Sequence, residues 1–226
     1  MASNFDFVRS RWPDIAEEAH RAEHYTYGDP RSSVFYARRT LELAVHWLYQ
    51  ADATLRPPYN DDLSGLLHEP TFKQLVGAGI LTKMNIIRKQ GNSAVHRTTP
   101  MRHTDSLPVV RELFHVLFWM ATRYSPTPEE RPLPGLTFDA AGILKPQPGI
   151  VARTLAQLQA LDAELKRKDE ELANAQAQND ELQAELISLR EQVAIEKARN
   201  ATVPDTHDYR EDETRDLFID VLLREA

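Results

Sequence analysis

The chain has 226 residues, of which 27% are charged and 42% apolar, and it carries a formal net charge of −7. This composition fits one or two small folded domains and excludes a membrane-spanning protein, because no apolar run approaches the ~20 residues that cross a bilayer. Cysteine is absent, which excludes disulfides and thiolate metal sites, and the N-terminus lacks a secretory signal, so we expect a cytoplasmic protein.

The charge is unevenly distributed along the chain. Residues 1–150 hold 17 Lys and Arg against 16 Asp and Glu, whereas residues 151–226 hold 10 against 18. The acidic C-terminal third repels phosphate and is a poor candidate for gripping nucleic acid. The nearly neutral N-terminal part has room for a local basic patch.

In chain order, the first predicted piece is a helical head over residues 1–124. Its apolar residues recur at helical spacing, with helix starts at Pro13 and Pro30 and no strand-like alternation, which predicts an all-α fold closed by four or five packed helices. Gly77 and Gly79 are expected to break one of these helices.

A linker with six prolines follows over residues 125–149, where proline prevents helix formation and leaves a stiff spacer. The linker also contains apolar residues such as Leu133 and Phe138. We therefore expect part of it to lie against the head.

Residues 150–199 are predicted to form one long helix, since they contain no Gly or Pro and are rich in Ala, Glu, Gln, Leu and Lys. A heptad pattern runs through them, with Asn179 at a central a position, which predicts a two-stranded homodimer. The orientation of the strands stays open, and the alternative is a single helix that folds back on its own protein. The predicted oligomerisation residues are Leu158, Leu161, Leu165, Leu172, Asn179, Leu182, Leu186, Leu189 and Val193.

The last piece, residues 200–226, is predicted to be a hinge followed by the start of a truncated domain. From Tyr209 onward, apolar residues at helical spacing predict an amphipathic helix with nothing after it to cover its apolar face. The segment resembles the opening of the nuclease domain in the R subunit of type I restriction enzymes. The matching residues are Glu213, Thr214, Arg215, Ile219, Asp220, Leu222, Leu223, Arg224, Glu225 and Ala226.

This resemblance implies a parent protein that cuts DNA, moves along it using ATP and Mg²⁺, and assembles with modification and specificity subunits. The catalytic Asp, Glu and Lys of such nucleases come after Ala226. Only Glu213, on the first helix of that domain, is expected to lie at the edge of the cleavage site.

In the head, Arg88, Gly91, Asn92 and His96 form an Arg-x-x-Gly-Asn-x-x-x-His element. This element resembles the HEPN-like helical domains, one branch of which is fused to restriction and defence proteins. Some HEPN proteins are metal-free ribonucleases in which a His moves a proton and an Arg steadies the phosphate. The resemblance thus implies an alternative function: a dimeric ribonuclease using Arg88 and His96.

In this sequence, seven residues separate Arg88 from His96, and Gly91 is expected to interrupt the helix between them. A purely structural interpretation is also open, in which Arg88 pairs with Glu42, Asn92 caps a helix and His96 lies at a helix junction.

Other candidate sites are fewer. The candidate nucleic-acid contacts are Arg88, Lys89, Asn92, Arg97 and Arg102. His20 and His24 lie four residues apart, but no third ligand follows at suitable spacing, so we predict no metal site. The glycines do not match a phosphate-binding loop, and we expect no cofactor in this part of the protein.

The sequence therefore predicts a non-catalytic region that pairs R subunits or docks them on the modification core or on DNA. The ribonuclease and a stand-alone coiled-coil adaptor are the alternatives.

Overall fold

The structure, a computed structural model, describes residues 3–96, 98, 100–145 and 153–200. Every regular element in these ranges is helical, which confirms the all-α prediction. The six α-helices are α1 (Pro13–His24), α2 (Pro30–Ala51), α3 (Leu63–His68), α4 (Pro70–His96), α5 (His103–Tyr124) and α6 (Leu155–Asn200). The predicted helix after Tyr209 lies outside the described residues.

The starts of three head helices follow from local chemistry. Pro13 and Pro30 occupy the first turns of α1 and α2, where proline lacks only an N–H that would have no helical partner. The Asp29 side chain caps α2 by accepting from the Ser32 backbone N–H at 3.2 Å, and Asp62 caps α3 in the same way from Gly65 at 2.6 Å.

Helix α4 bends at one glycine and runs straight through another. Gly77 has a φ of 72° and a ψ of 166°, a conformation that disfavours side chains, so the predicted break is present there. Gly91, in contrast, lies within the helix, and the expectation that it would interrupt α4 is wrong. A glycine inside a helix costs stability but keeps the helical hydrogen bonds when packing supports them.

The core of the head is built around α2, which packs against α1, α4 and α5. Edge-to-face aromatic contacts contribute to this packing, including Trp12 against Trp47 with ring centroids 5.2 Å apart. The largest fully buried side chains on the three longest head helices are Phe35, Leu41, Leu48, Phe72, Met84, Ile87, Leu113, Leu117 and Met120.

The described part of the linker lies on the head, as the sequence predicts. Phe138 packs against Phe114 with ring centroids 5.8 Å apart, and Ile143 is buried. Asn4 and Asp139 exchange two hydrogen bonds, one from the Asn4 amide at 3.0 Å and one to its oxygen at 2.7 Å.

The chain divides into two compact units, residues 1–165 and residues 166–226. The first unit contains the head, the described part of the linker, and the first turns of α6, which the sequence assigned to the coiled coil. In the second unit, α6 continues to Asn200. Within the described part of the chain, no helix combines the length and apolar character that a bilayer crossing requires.

Candidate functional site

The two residues proposed for ribonuclease chemistry lie at different levels of α4. Because the helix is continuous from Arg88 to His96, the eight-residue step moves ~12 Å along the axis and ~80° around it. His96 is exposed at the last residue of α4, and Arg88 is half-buried two turns earlier. The helix therefore does not bring the two side chains together over one phosphate.

Gly91 instead provides a close approach between α2 and α4. A Cβ atom added at Gly91 would lie 2.3 Å from the Arg38 Cβ and 2.8 Å from its Cγ, far inside van der Waals contact. The absence of a side chain at Gly91 thus lets the stem of Arg38 lie flat on α4.

From that position the Arg38 guanidinium lies near two carboxylates. Its Nη2 lies 3.7 Å from Glu42 Oε1, and its Nη1 lies 3.5 Å from Asp162 Oδ1 on α6. Glu42, the acid proposed as the partner of Arg88, is therefore beside Arg38, while the Arg88 Nη2 donates to Asn85 Oδ1 at 3.3 Å. Asn92 lies inside α4, so the proposed capping role is wrong.

The C-terminal end of α4 is capped by two other helices. The Arg31 side chain on α2 donates to the Ala94 carbonyl at 2.6 Å, and the Gln159 amide on α6 donates to the Val95 carbonyl at 3.0 Å. The last carbonyls of a helix have no partner within it, so these bonds satisfy groups that would otherwise need water.

Arg153, just before α6, makes a second set of contacts with the head. The Arg153 backbone N–H donates to the Asp29 carboxylate at 2.9 Å, and the Arg153 guanidinium lies 5.1 Å from the centre of the Tyr25 ring and 5.8 Å from that of Tyr36. Burial raises the pKa of the Tyr36 phenol, and the Arg153 charge opposes that rise.

Apolar packing completes the contact between the head and the start of α6. Leu158 is 0% exposed, and Leu161 and Leu165 pack partly buried against the same core. These three heptad residues, predicted for oligomerisation, are thus engaged within their own chain. The Arg-x-x-Gly-Asn-x-x-x-His element lies on α4, whose Val95 carbonyl accepts from Gln159 of α6.

Beyond Leu165 the same heptad stripe is open to solvent. The exposed fractions of its leucines and valine run from 46% at Leu186 to 65% at Val193. The stripe in the second unit comprises Leu172, Asn179, Leu182, Leu186, Leu189 and Val193.

A polar groove lies between the end of α3 and the middle of α4, and we call it the α3–α4 groove. It has a volume of about 320 Å³. Its lining residues are His68, Thr82, Asn85, Ile86, Arg88 and Lys89. Two of the predicted nucleic-acid contacts, Arg88 and Lys89, therefore share one surface with a histidine that the sequence did not single out.

The remaining sequence candidates lie elsewhere. The Arg102 backbone N–H bonds to the Asp105 carboxylate at 2.9 Å as α5 begins, and Arg97 and Glu213 lie outside the described residues. The His20 Nε2 lies 3.4 Å from Asp6 Oδ1. Among residues the structure describes, no three His, Asp or Glu side chains gather around a common point for a metal ion.

Compared with protein-family models, curated proteins and solved structures, the chain matches none of them.

Proposed function

We propose that this chain is a non-catalytic assembly region in which the head holds the first turns of α6 and the rest of α6 pairs with a second copy of the chain. The supporting observation is the contrast along one heptad stripe: Leu158 is fully buried, whereas Leu172 and Leu182 are 59% and 64% exposed. Apolar surface in water is unfavourable by about 25 cal/mol per Å², so pairing the exposed stripe stabilises it.

The stripe fits a second copy because it is narrow and contains a polar residue at its centre. An apolar stripe that is restricted to positions a and d forms a seam for one partner helix rather than a face for a globular core. Asn179 at position a meets its own counterpart only when two chains run parallel and in register, where the two amides hydrogen-bond.

The contact between the head and the first turns of α6 also excludes one repulsive charge pair from a parallel dimer. Glu164 and Asp169 would face each other unfavourably in a parallel dimer. With Leu165 packed against the head, the pairing seam begins at Leu172, and this acidic pair falls before it.

Within the seam, the charged g and e positions include a favourable pair. Glu185 of one copy would lie opposite Arg190 of the other, as expected for a parallel dimer. The proposed orientation is therefore parallel.

The proposal includes a parent protein, the R subunit of a type I restriction-modification system. This part rests on the resemblance of residues 213–226 to the opening of the nuclease domain. The dimer would then join two R subunits, or present them to the modification and specificity subunits, in the cytoplasm. DNA cleavage, with ATP and Mg²⁺, would belong to the parent polypeptide after Ala226.

Sedimentation equilibrium of the full 226-residue chain tests the pairing. The wild type should reach twice the 25.8 kDa chain mass as concentration rises, and the double variant L186K/L189K should remain monomeric. The matched control is I187K, which places the same charge on a neighbouring exposed residue outside the a and d positions. Loss of the dimer in I187K as well, or its persistence in L186K/L189K, would contradict the proposed seam.

Sequencing the gene past codon 226 tests the parent protein separately. The proposal predicts an in-frame nuclease domain with its Asp, Glu and Lys, followed by an ATP-dependent motor. A continuation that encodes neither would overturn the R-subunit assignment and leave the dimer measurement unaffected.

A further inference from the structure

The α3–α4 groove gathers cationic and hydrogen-bonding groups that the assembly role does not use. Arg88 and Lys89 supply two positive charges, and Thr82 and Asn85 add polar atoms. The six residues that line the groove include no carboxylate. A concave surface of this composition favours an anion.

His68 is held in a defined orientation at one side of the groove. Its Nδ1 lies 2.7 Å from the Ser64 carbonyl oxygen, and because a carbonyl can only accept, Nδ1 carries the hydrogen. The Nε2 atom is left to meet a ligand, as an acceptor in the neutral ring and as a donor once the ring is protonated.

Arg88 is oriented from its own helix. Its Nε and Nη2 atoms lie 3.4 and 3.3 Å from Asn85 Oδ1, while the Asn85 amide donates to the Leu81 carbonyl at 3.1 Å. This contact engages one edge of the guanidinium and leaves Nη1 for another acceptor. A planar guanidinium presented in this way suits phosphate oxygens.

The carboxylate of Asp62 interacts with the Arg88 charge, but Asp62 has another role. The Gly65 backbone N–H is the main cause of the lowered pKa of the Asp62 carboxyl, with a smaller contribution from the Arg88 charge. Asp62 is thus engaged as the cap of α3, and Lys89 adds a second positive charge to the groove.

We propose that the α3–α4 groove binds a phosphate group through Arg88, Lys89 and His68. The groove volume of about 320 Å³ is at the lower end for ligand pockets, which suits a phosphate or pyrophosphate group with little else enclosed. The phosphate belongs either to a small molecule or to a nucleic-acid backbone, and binding to the two is measured separately.

The first experiment is isothermal titration calorimetry of the full chain with sodium pyrophosphate at low ionic strength and about pH 5.5. Low salt is used because screening weakens an exposed anion site, and low pH because an imidazole whose Nδ1–H already bonds a carbonyl donates to phosphate only when the ring is protonated. We expect Arg88→Gln and His68→Gln each to weaken binding by about tenfold, as the loss of one charge-assisted hydrogen bond does. His68 is exposed, so its substitution leaves the head folded even if the half-buried Arg88 proves sensitive.

Matched controls separate this site from general attraction to positive charge. Lys73 is an exposed lysine on α4 outside the groove, so Lys73→Gln is compared with Lys89→Gln. His46 on α2 is the corresponding exposed histidine, so His46→Gln is compared with His68→Gln. The control variants should keep wild-type affinity.

The second arm measures fluorescence anisotropy of a labelled single-stranded RNA decamer with the same variants. Binding of RNA that depends on Arg88 and Lys89 assigns the phosphate to nucleic acid, whereas binding of pyrophosphate alone assigns it to a small molecule. Absence of both, or equal losses in Lys73→Gln and Lys89→Gln, would overturn the proposal. Neither result depends on the dimer, because the L186K/L189K variant, which we expect to be monomeric, retains the groove.

Discussion

The two parts of helix α6 carry the same heptad pattern and have opposite environments. In the first unit, Leu158 at position a is completely buried among head residues, while in the second unit Leu172 and Val193 at position a are 59% and 65% exposed. The comparison teaches that a heptad repeat shows that a helix needs a partner, but not whether the partner is another chain. Here the head is the partner for the first turns, and we propose a second copy for the rest.

The largest expected effect on stability comes from replacing Leu158 and Leu172, one at a time, by alanine. Leu158→Ala should lower the free energy of unfolding of the head by about 2–5 kcal/mol, as for other buried leucines. Leu172→Ala, tested at concentrations where the chain is monomeric, should change it by less than about 0.5 kcal/mol. Urea unfolding followed by tryptophan fluorescence measures both, since all three tryptophans, Trp12, Trp47 and Trp119, lie in the head.

Equal effects of these two alanine substitutions would break the comparison. They would mean that the head is no more stabilised by the start of α6 than by its solvent-exposed continuation.

A second prediction concerns Gly79 and Gly91 of α4, both of which the sequence alone predicts to interrupt a helix. Gly91→Ala should destabilise the head by about 1–2 kcal/mol, because the clash with Arg38 outweighs the gain in helix propensity. Gly79→Ala has open space around the new methyl group and should stabilise the head by about 0.5–1 kcal/mol. Thermal or urea unfolding of the two variants should therefore give changes of opposite sign, and stabilisation by both would contradict the close approach of α2 and α4.

These cases show how far the sequence could predict this structure. The helix starts at Pro13 and Pro30 and the kink at Gly77 depend on local backbone chemistry, which a sequence displays directly. The role of Gly91 depends on Arg38 from another helix, so the pattern around Gly91 suggested a break that the packing does not produce. The low helix propensity of Gly91 is therefore outweighed by its packing against another helix.

The candidate site was less predictable for the same physical reason. His68 and Arg88 lie twenty residues apart on different helices, and no spacing rule joins them before α3 is packed on α4. His96 attracted the prediction because it belongs to the same sequence element as Arg88, yet two helical turns separate them. The docking of Leu158 on the head is likewise not apparent from the heptad pattern, which places leucines at a and d positions both before and after Leu165.

The smallest expected effect is a dependence of the stability of the head on pH. Burial raises the pKa of the Glu18 carboxyl, while the nearby Arg21 charge lowers it less strongly. A raised pKa in the folded state gives stability that is fully present below the ordinary value of 4.5 and is lost as pH rises through the folded value.

Glu18→Gln removes this titration, so the stability of wild type relative to the variant should fall as pH rises from below 4.5. The control is Glu17→Gln, the same change at the adjacent exposed residue that also pairs with Arg21. Urea unfolding across pH measures the difference, and a rise in relative wild-type stability over that interval would have the wrong sign.

The proposed pairing of α6 is tested most directly by disulfide trapping, which the cysteine-free chain makes simple. Asn179→Cys places a thiol at a central a position, where the Cα atoms of parallel, in-register chains come within disulfide reach. Asn174→Cys places the same residue type at position c, on the outside of the proposed dimer. Under mild oxidation the account predicts rapid cross-linking at 179 and little at 174, read on a non-reducing gel. Equal cross-linking of the two variants, or none at 179, would contradict a parallel coiled coil between two copies.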